Sequence, residues 1–183
     1  MNHLGGYIPE GDRLTYMPDI WQFLIDKYGI KSVLDIGCGT GKNLEWFNCK
    51  VLGVEGHPDA VKDCKVPVVQ HDYTQGPLVL KDRFDLCICT EFVEHIESQY
   101  EDNWFATMKS AERVLMCHAL PGQGGWHHVN CQPREYWAKR FADHGFQKTD
   151  VVERFVDPSA PWGRNTITLF EWSSKQSTSQ QKT

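Results

Sequence analysis

Three glycines at the end of an apolar run are the first residues with chemical content: Asp35-Ile36-Gly37-Cys38-Gly39-Thr40-Gly41. Glycine reaches positive φ without strain and lets backbone come close to a ligand. Such a turn, when a helix follows, offers free N–H groups and a positive dipole end. A dinucleotide calls for Gly-x-Gly-x-x-Gly. Counting from Gly37 puts Lys42 at the third glycine, and counting from Gly39 puts Leu44 there. A phosphate loop needs Gly-Lys-Ser/Thr, but Gly41-Lys42 is followed by Asn43. The turn is built for a ligand of another class.

Acids follow the next apolar runs. Glu55 ends Leu52-Gly53-Val54-Glu55 and precedes Gly56-His57. Asp72 stands in Gln70-His71-Asp72-Tyr73. The run Phe84 to Cys89 leads into Thr90-Glu91-Phe92-Val93-Glu94-His95. A loop from Leu120 to Asn130 holds Gly122, Gly124 and Gly125 together with Trp126, His127 and His128. Histidine is the natural proton acceptor near neutral pH. His127, His128 and His95 are therefore the candidate catalytic groups. The seven cysteines are odd in number and show no Cys-x-x-Cys pair. They read as buried thiols, and no metal site is expected from them.

The elements that must carry these residues alternate in type. Helical spacing covers Pro18 to Tyr28, Lys42 to Phe47, Pro58 to Lys62, Glu101 to Arg113 and Pro133 to His144. Short apolar runs predict strands at 32–36, 51–54, 66–70, 84–89 and 114–118. Two β-rich runs, 147–156 and 165–172, close the chain as an antiparallel pair. Alternation of this kind predicts an α/β fold: a doubly wound, Rossmann-like, seven-stranded sheet, mostly parallel with an antiparallel last strand. In such sheets ligands sit at the carboxyl ends of the strands. The polar residues above all follow strands.

In that strand–turn–helix setting, Val33-Leu34-Asp35-Ile36-Gly37-Cys38-Gly39-Thr40-Gly41 resembles the first motif of class I S-adenosylmethionine-dependent methyltransferases, of the small-molecule, type 11/23-like branch. The resemblance implies S-adenosyl-L-methionine as cofactor. It implies a cofactor site of Asp35, Gly37, Cys38, Gly39, Gly41 and Asn43, with Glu55, Gly56 and His57 after the second strand. Glu55 would take the ribose hydroxyls, as an acceptor-only carboxylate can. Asp72 and Tyr73 would hold the adenine, and Thr90 and Glu91 would lie beside the methionine. Glu94-His95 would be near the acceptor or under the sheet edge.

Composition fits one domain. The chain has 183 residues, 40% apolar and 23% charged, with net charge −5. Residues 1–172 read as the domain, 1–17 as a strap over the site carrying Tyr7, Arg13 and Tyr16, and 173–183 as a disordered polar tail. Pro161 to Asn165 reads as a turn, with an aromatic wall for the acceptor side as the alternative. No leader or membrane-spanning run is seen, so the expected location is cytoplasmic. Acceptor classes fall away in turn. There is no Asn/Asp-Pro-Pro-Tyr/Phe stretch for base amino groups, no Pro-Cys nucleophile, and no paired-glutamate loop for arginine. A small-molecule acceptor is favoured, taken by a monomer or homodimer. The alternatives are an RNA, modified-nucleoside or protein acceptor, or a non-catalytic partner subunit that binds the cofactor.

Overall fold

Alternate residues along each strand are buried on opposite faces of one sheet, and this alternation organises the molecule. The computed structural model describes residues 3, 4, 6 and 8–173. The strands are β1 (Ser32–Ile36), β2 (Lys50–Glu55), β3 (Val68–Gln70), β4 (Leu86–Thr90), β5 (Arg113–Cys117), β6 (Phe146–Thr149) and β7 (Thr168–Trp172). They lie in the order β3-β2-β1-β4-β5-β7-β6. Pairings from β3 to β5 are parallel, and β7 runs antiparallel to both β5 and β6. This is the expected α/β sheet.

The helices are α1 (Pro18–Tyr28), α2 (Pro58–Asp63), α3 (Glu101–Met108) and α4 (Arg134–Asp143). On one face Leu34, Ile36, Cys87, Cys89, Val114 and Met116 pack with Trp104, Phe105, Trp137 and Phe141 of α3 and α4. On the other, Val33, Leu86, Ile88 and Leu115 pack with Ile20, Trp21 and Leu24 of α1. Cys87 and Cys89 share a face, as their spacing requires. All seven cysteines are free; Cys38, Cys87, Cys89 and Cys117 are buried. Gly29 ends α1 in the left-handed conformation at φ 66°.

Several boundaries differ from the sequence reading. The segment Lys42 to Phe47 is not a helix: only Leu44–Trp46 form a single 3₁₀ turn. Between Gly41 and Lys50 there is too little chain to run a helix across the sheet and return. Instead Trp46 and Phe47 pack on Trp21, with ring centroids 5.5 and 5.3 Å away. A turn this short contributes no macrodipole to the site. Helix α3 stops at Met108 because the chain turns into a bridge between Phe84 and Ala111. Arg113 therefore opens β5 rather than ending a helix. β3 starts after Pro67, which lacks a ladder donor. β6 ends at Thr149 and β7 begins at Thr168, so both closing runs are shorter than expected. The tail beyond Ser173, read above as disordered, lies outside the described residues.

Candidate functional site

The strand order reverses between β1 and β4, and most of the candidate groups gather where the two strand ends part. The glycine turn leaves β1 with Gly37, Gly39 and Gly41 at φ 76°, 54° and 78°. Gly37 and Cys38 donate N–H to the Val54 carbonyl at 2.9 and 3.3 Å. Gly39 donates N–H to Glu55 Oε2 at 2.9 Å, and His57 donates N–H to Glu55 Oε1 at 2.7 Å. The Glu55 carboxylate thus ties the turn to the end of β2, and each oxygen keeps a further lone pair for a ligand. Burial raises its pKa against these backbone donors.

Gly37 has no space for a side chain, since a Cβ would lie 2.4 Å from Phe92 Cδ2. Gly41 is equally closed, with Val66 Cγ2 at 2.7 Å. Gly39 is the open one: nothing lies within 4 Å of its missing Cβ. Asp35 is buried beneath the turn, and burial followed by the Glu55 charge pushes its carboxyl well above the usual range.

Two contiguous cavities open here. The first is walled by Gly37, Gly39, Glu55, Gly56, Asp72 and Tyr73. Asp72 Oδ1 accepts from the Thr74 N–H at 2.9 Å, and its Oδ2 accepts from His3 Nε2 at 2.9 Å. Tyr73 is fixed by its hydroxyl, which donates to Thr107 Oγ1 at 3.0 Å. The second cavity is lined by Cys38, Asn43, Thr90, Gly125, Trp126 and His128. Gly37, Gly39, Glu91 and His95 belong to both. Gly41 and His57 line neither: Gly41 packs inside the turn, and His57 caps α2 by accepting the Asp59 N–H at 3.3 Å.

The candidate histidines separate. His95 and His128 face each other edge to face at 4.9 Å. His95 donates through Nδ1 to the Trp126 carbonyl at 2.9 Å, and His128 through Nδ1 to the Gln123 carbonyl at 3.1 Å. Burial, and then the neighbouring His128, lower the His95 pKa to about 4. His127 turns away at φ 51° and lines neither cavity; its Nε2 is 3.7 Å from Glu97 Oε1. Glu91 takes φ 49° where the chain leaves β4, and its Oε1 accepts the Gly163 N–H at 3.3 Å.

The N-terminal segment covers the site through residues other than those expected. Gly6, Ile8, Asp12 and Thr15 line the second cavity, whereas Arg13 and Tyr16 line an outer groove beside Trp46. Tyr7 lies outside the described residues. Trp162, in the Pro161 to Asn165 turn whose alternative reading is an aromatic wall, lines the second cavity and donates Nε1–H to Asp12 Oδ2 at 3.1 Å. Nothing local in the sequence signals that contact, because the partners are 150 positions apart. Phe92 was also not anticipated as the wall behind Gly37.

Residues 34–117 match the family described as a methyltransferase domain. No curated protein sequence matches the chain. Solved structures of similar fold include an S-adenosylmethionine-dependent methyltransferase from Clostridium acetobutylicum, 12% identical, with TM-score 0.69 over 90% of this chain and 93% of that one. Another is an amino pentose methyltransferase from Micromonospora echinaspora with S-adenosylmethionine bound, 14% identical, TM-score 0.67, covering 90% and 94%. A third is an O-methyltransferase from a Brevibacillus brevis multienzyme in complex with S-adenosyl-L-homocysteine, 15% identical, TM-score 0.58, covering 85% and 72%. At these identities the likeness is one of fold.

Proposed function

We propose that this chain is a class I S-adenosylmethionine-dependent methyltransferase that moves a methyl group to an oxygen or nitrogen atom of a small-molecule acceptor. The methyltransferase-domain match over residues 34–117 and the shared fold support the reading. When bound, S-adenosylmethionine supplies a methyl already activated on a sulfonium. The observation that carries the reading is the pair of contiguous cavities meeting at Gly37, Gly39, Glu91 and His95.

The first cavity fits an adenosine. Glu55 has lone pairs left for ribose hydroxyls, Asp72 offers acceptor oxygens for an exocyclic amine, and Gly39 has no neighbour within 4 Å where a side chain would stand. His3 occupies Asp72 Oδ2 and has to share or yield it. The second cavity would take the acceptor. Its rim carries Ile8, Trp126 and Trp162, exposed by 51%, 62% and 37%, which suits a molecule with an apolar or planar face. Such a site works by aligning the acceptor and excluding water. His95 and His128 are the groups placed to manage an acceptor proton. Residues 1–172 act as one domain in this reading, with 1–17 as its strap. Among the described residues no helix is long and apolar enough to cross a membrane.

Calorimetry tests the first half of the reading. S-adenosylmethionine should bind saturably, and Gly39→Arg should abolish binding by filling the open position. Absence of saturable binding to the wild-type chain overturns it. Transfer of labelled methyl to a fraction of small metabolites tests the second half.

A further inference from the structure

Glu94 lies on the loop after β4 and is fully buried, yet its Oε2 has no hydrogen-bond partner. An uncompensated buried carboxylate oxygen is costly. Its Oε1 accepts the Ala119 N–H at 2.9 Å, and its carbonyl accepts the Val129 and Asn130 N–H groups at 2.9 and 3.1 Å. The side chain is therefore held firmly, and the remaining interaction of its carboxyl is with the neighbouring Glu91 carboxyl, an acid that cannot neutralise it. Glu94, His95 and His128 each offer a ligand atom, and these atoms lie within 4.8 Å of one another.

From this cluster we propose a divalent transition-metal site formed by Glu94, His95 and His128, open toward the acceptor cavity. Both rings show the outer contacts that metal-binding histidines use. Each Nδ1 faces a backbone carbonyl, so it carries the hydrogen, and the lone pair is left on Nε2. Gly125 keeps the second ring uncovered, because a Cβ there would sit 2.2 Å from His128 Nε2. Two imidazoles and one carboxylate suit Mn²⁺, Fe²⁺, Co²⁺ or Zn²⁺ better than Mg²⁺ or Ca²⁺. Metal–ligand distances of about 2.1 Å bring neighbouring ligands to about 3 Å. The cluster thus contracts on binding, and the glycine-rich loop bearing His128 is the part free to do so. The expectation of no metal came from cysteine spacing, which is silent about this group.

The site gives buried Glu94 a purpose and makes His95 and His128 manage the acceptor proton through the metal rather than by taking it themselves. It rests on the methyltransferase reading for its purpose only. Three protein ligands leave coordination positions for an acceptor hydroxyl. Coordination lowers the hydroxyl pKa, and its proton leaves to water. The oxygen then forms its bond to the methyl carbon as the carbon–sulfur bond breaks, with the electron pair staying on sulfur. The favoured acceptor is therefore an oxygen.

Metal binding is scored without cofactor or acceptor. The chelator-treated full chain is titrated with Mn²⁺ and followed by electron paramagnetic resonance. We expect one Mn²⁺ per chain, with affinity lowered at least tenfold by Glu94→Gln and by His128→Ala, each checked for folding by circular dichroism. Glu45→Gln, a surface carboxylate paired with Lys42, should leave affinity unchanged. If the variants fail to fold, paramagnetic broadening in the wild-type chain should fall on the His95 and His128 ring signals. No stoichiometric binding, binding indifferent to both variants, or broadening elsewhere overturns the site. Ligand-dependent Mn²⁺ binding without S-adenosylmethionine binding would instead overturn the function proposed above and leave the metal site standing.

Discussion

At the level of single residues, neighbouring glycines of one motif do different jobs. Gly37→Ala meets the Phe92 ring at 2.4 Å and strains a φ of 76°. Overpacking and left-handed strain together should destabilise the fold on the order of 2–4 kcal/mol. Gly39→Ala meets no atom and carries only the φ strain, about 1–2 kcal/mol. Urea unfolding should rank the two in that order. Equal losses would show that the Phe92 wall is not rigid. His118 makes a pH prediction. It is 3% exposed, and burial lowers its pKa to about 4, with Arg134 adding to the effect and the Ala119 carbonyl opposing it. The folded value lies below the unfolded value of about 6.5, so the unfolded chain binds the proton first. Stability from this group is complete above about pH 6.5 and falls as pH drops toward 4. Between pH 7 and 4.5 the loss from this one ring is roughly 2 kcal/mol. Urea midpoints at those two pH values should differ less in His118→Gln, and an unchanged difference would rule His118 out as the source.

Among the elements, the sheet was legible because burial imposes a period of two on its strands. Ser32–Ile36 is read directly from apolar residues ending at glycine, and β5 and β7 are found to within a few residues. The crossover after the glycine turn was misread. Leu44 and Phe47 have helical spacing, but the chain between Gly41 and Lys50 is too short for a helix, and spacing carries no information about span. The histidine loop was legible as a site but not in detail. A positive φ at His127 sends neighbouring rings in different directions, and nothing in His127-His128 says which ring faces the cavity. The proposed metal-ligand group is not legible in the sequence because Glu94-His95 and His128 come together through bonds between two loops distant along the chain. The shortened crossover makes its own prediction. Leu44 is the buried anchor of the 3₁₀ turn. Leu44→Ala should cost about 2–4 kcal/mol in urea unfolding. It should also weaken S-adenosylmethionine binding, because Asn43 beside it lines the second cavity, which shares Gly37 and Gly39 of the glycine turn with the first. Loss of stability with unchanged affinity would mean that the turn does not position Asn43.

At the scale of the whole molecule, the N-terminal segment is tied over the site by bonds to distant parts of the chain. Asp12 is held by Trp162, Thr40 donates its hydroxyl to the Pro9 carbonyl at 3.4 Å, and Asn43 Nδ2 donates to Thr15 Oγ1 at 3.4 Å. Together with the His3–Asp72 contact at 2.9 Å, these are few and partly exposed bonds, each contributing about 1 kcal/mol or less. A cover held so weakly opens locally far more often than the sheet unfolds. Small molecules reaching the first cavity must pass it, since Leu4 and Gly6 form part of that cavity's wall. Ligand binding should then draw the cover closed. Trypsin cleavage after Arg13 should be fast in the free protein and slow severalfold when S-adenosylmethionine is saturating. Asp12→Ala removes the Trp162 anchor without touching the sheet. It should raise the cofactor dissociation rate measured by stopped flow and restore fast cleavage at Arg13, with the unfolding midpoint nearly unchanged. Cleavage that ignores the cofactor in the wild-type chain would show that this segment is a fixed part of the fold and that ligands enter from the side of the histidine loop.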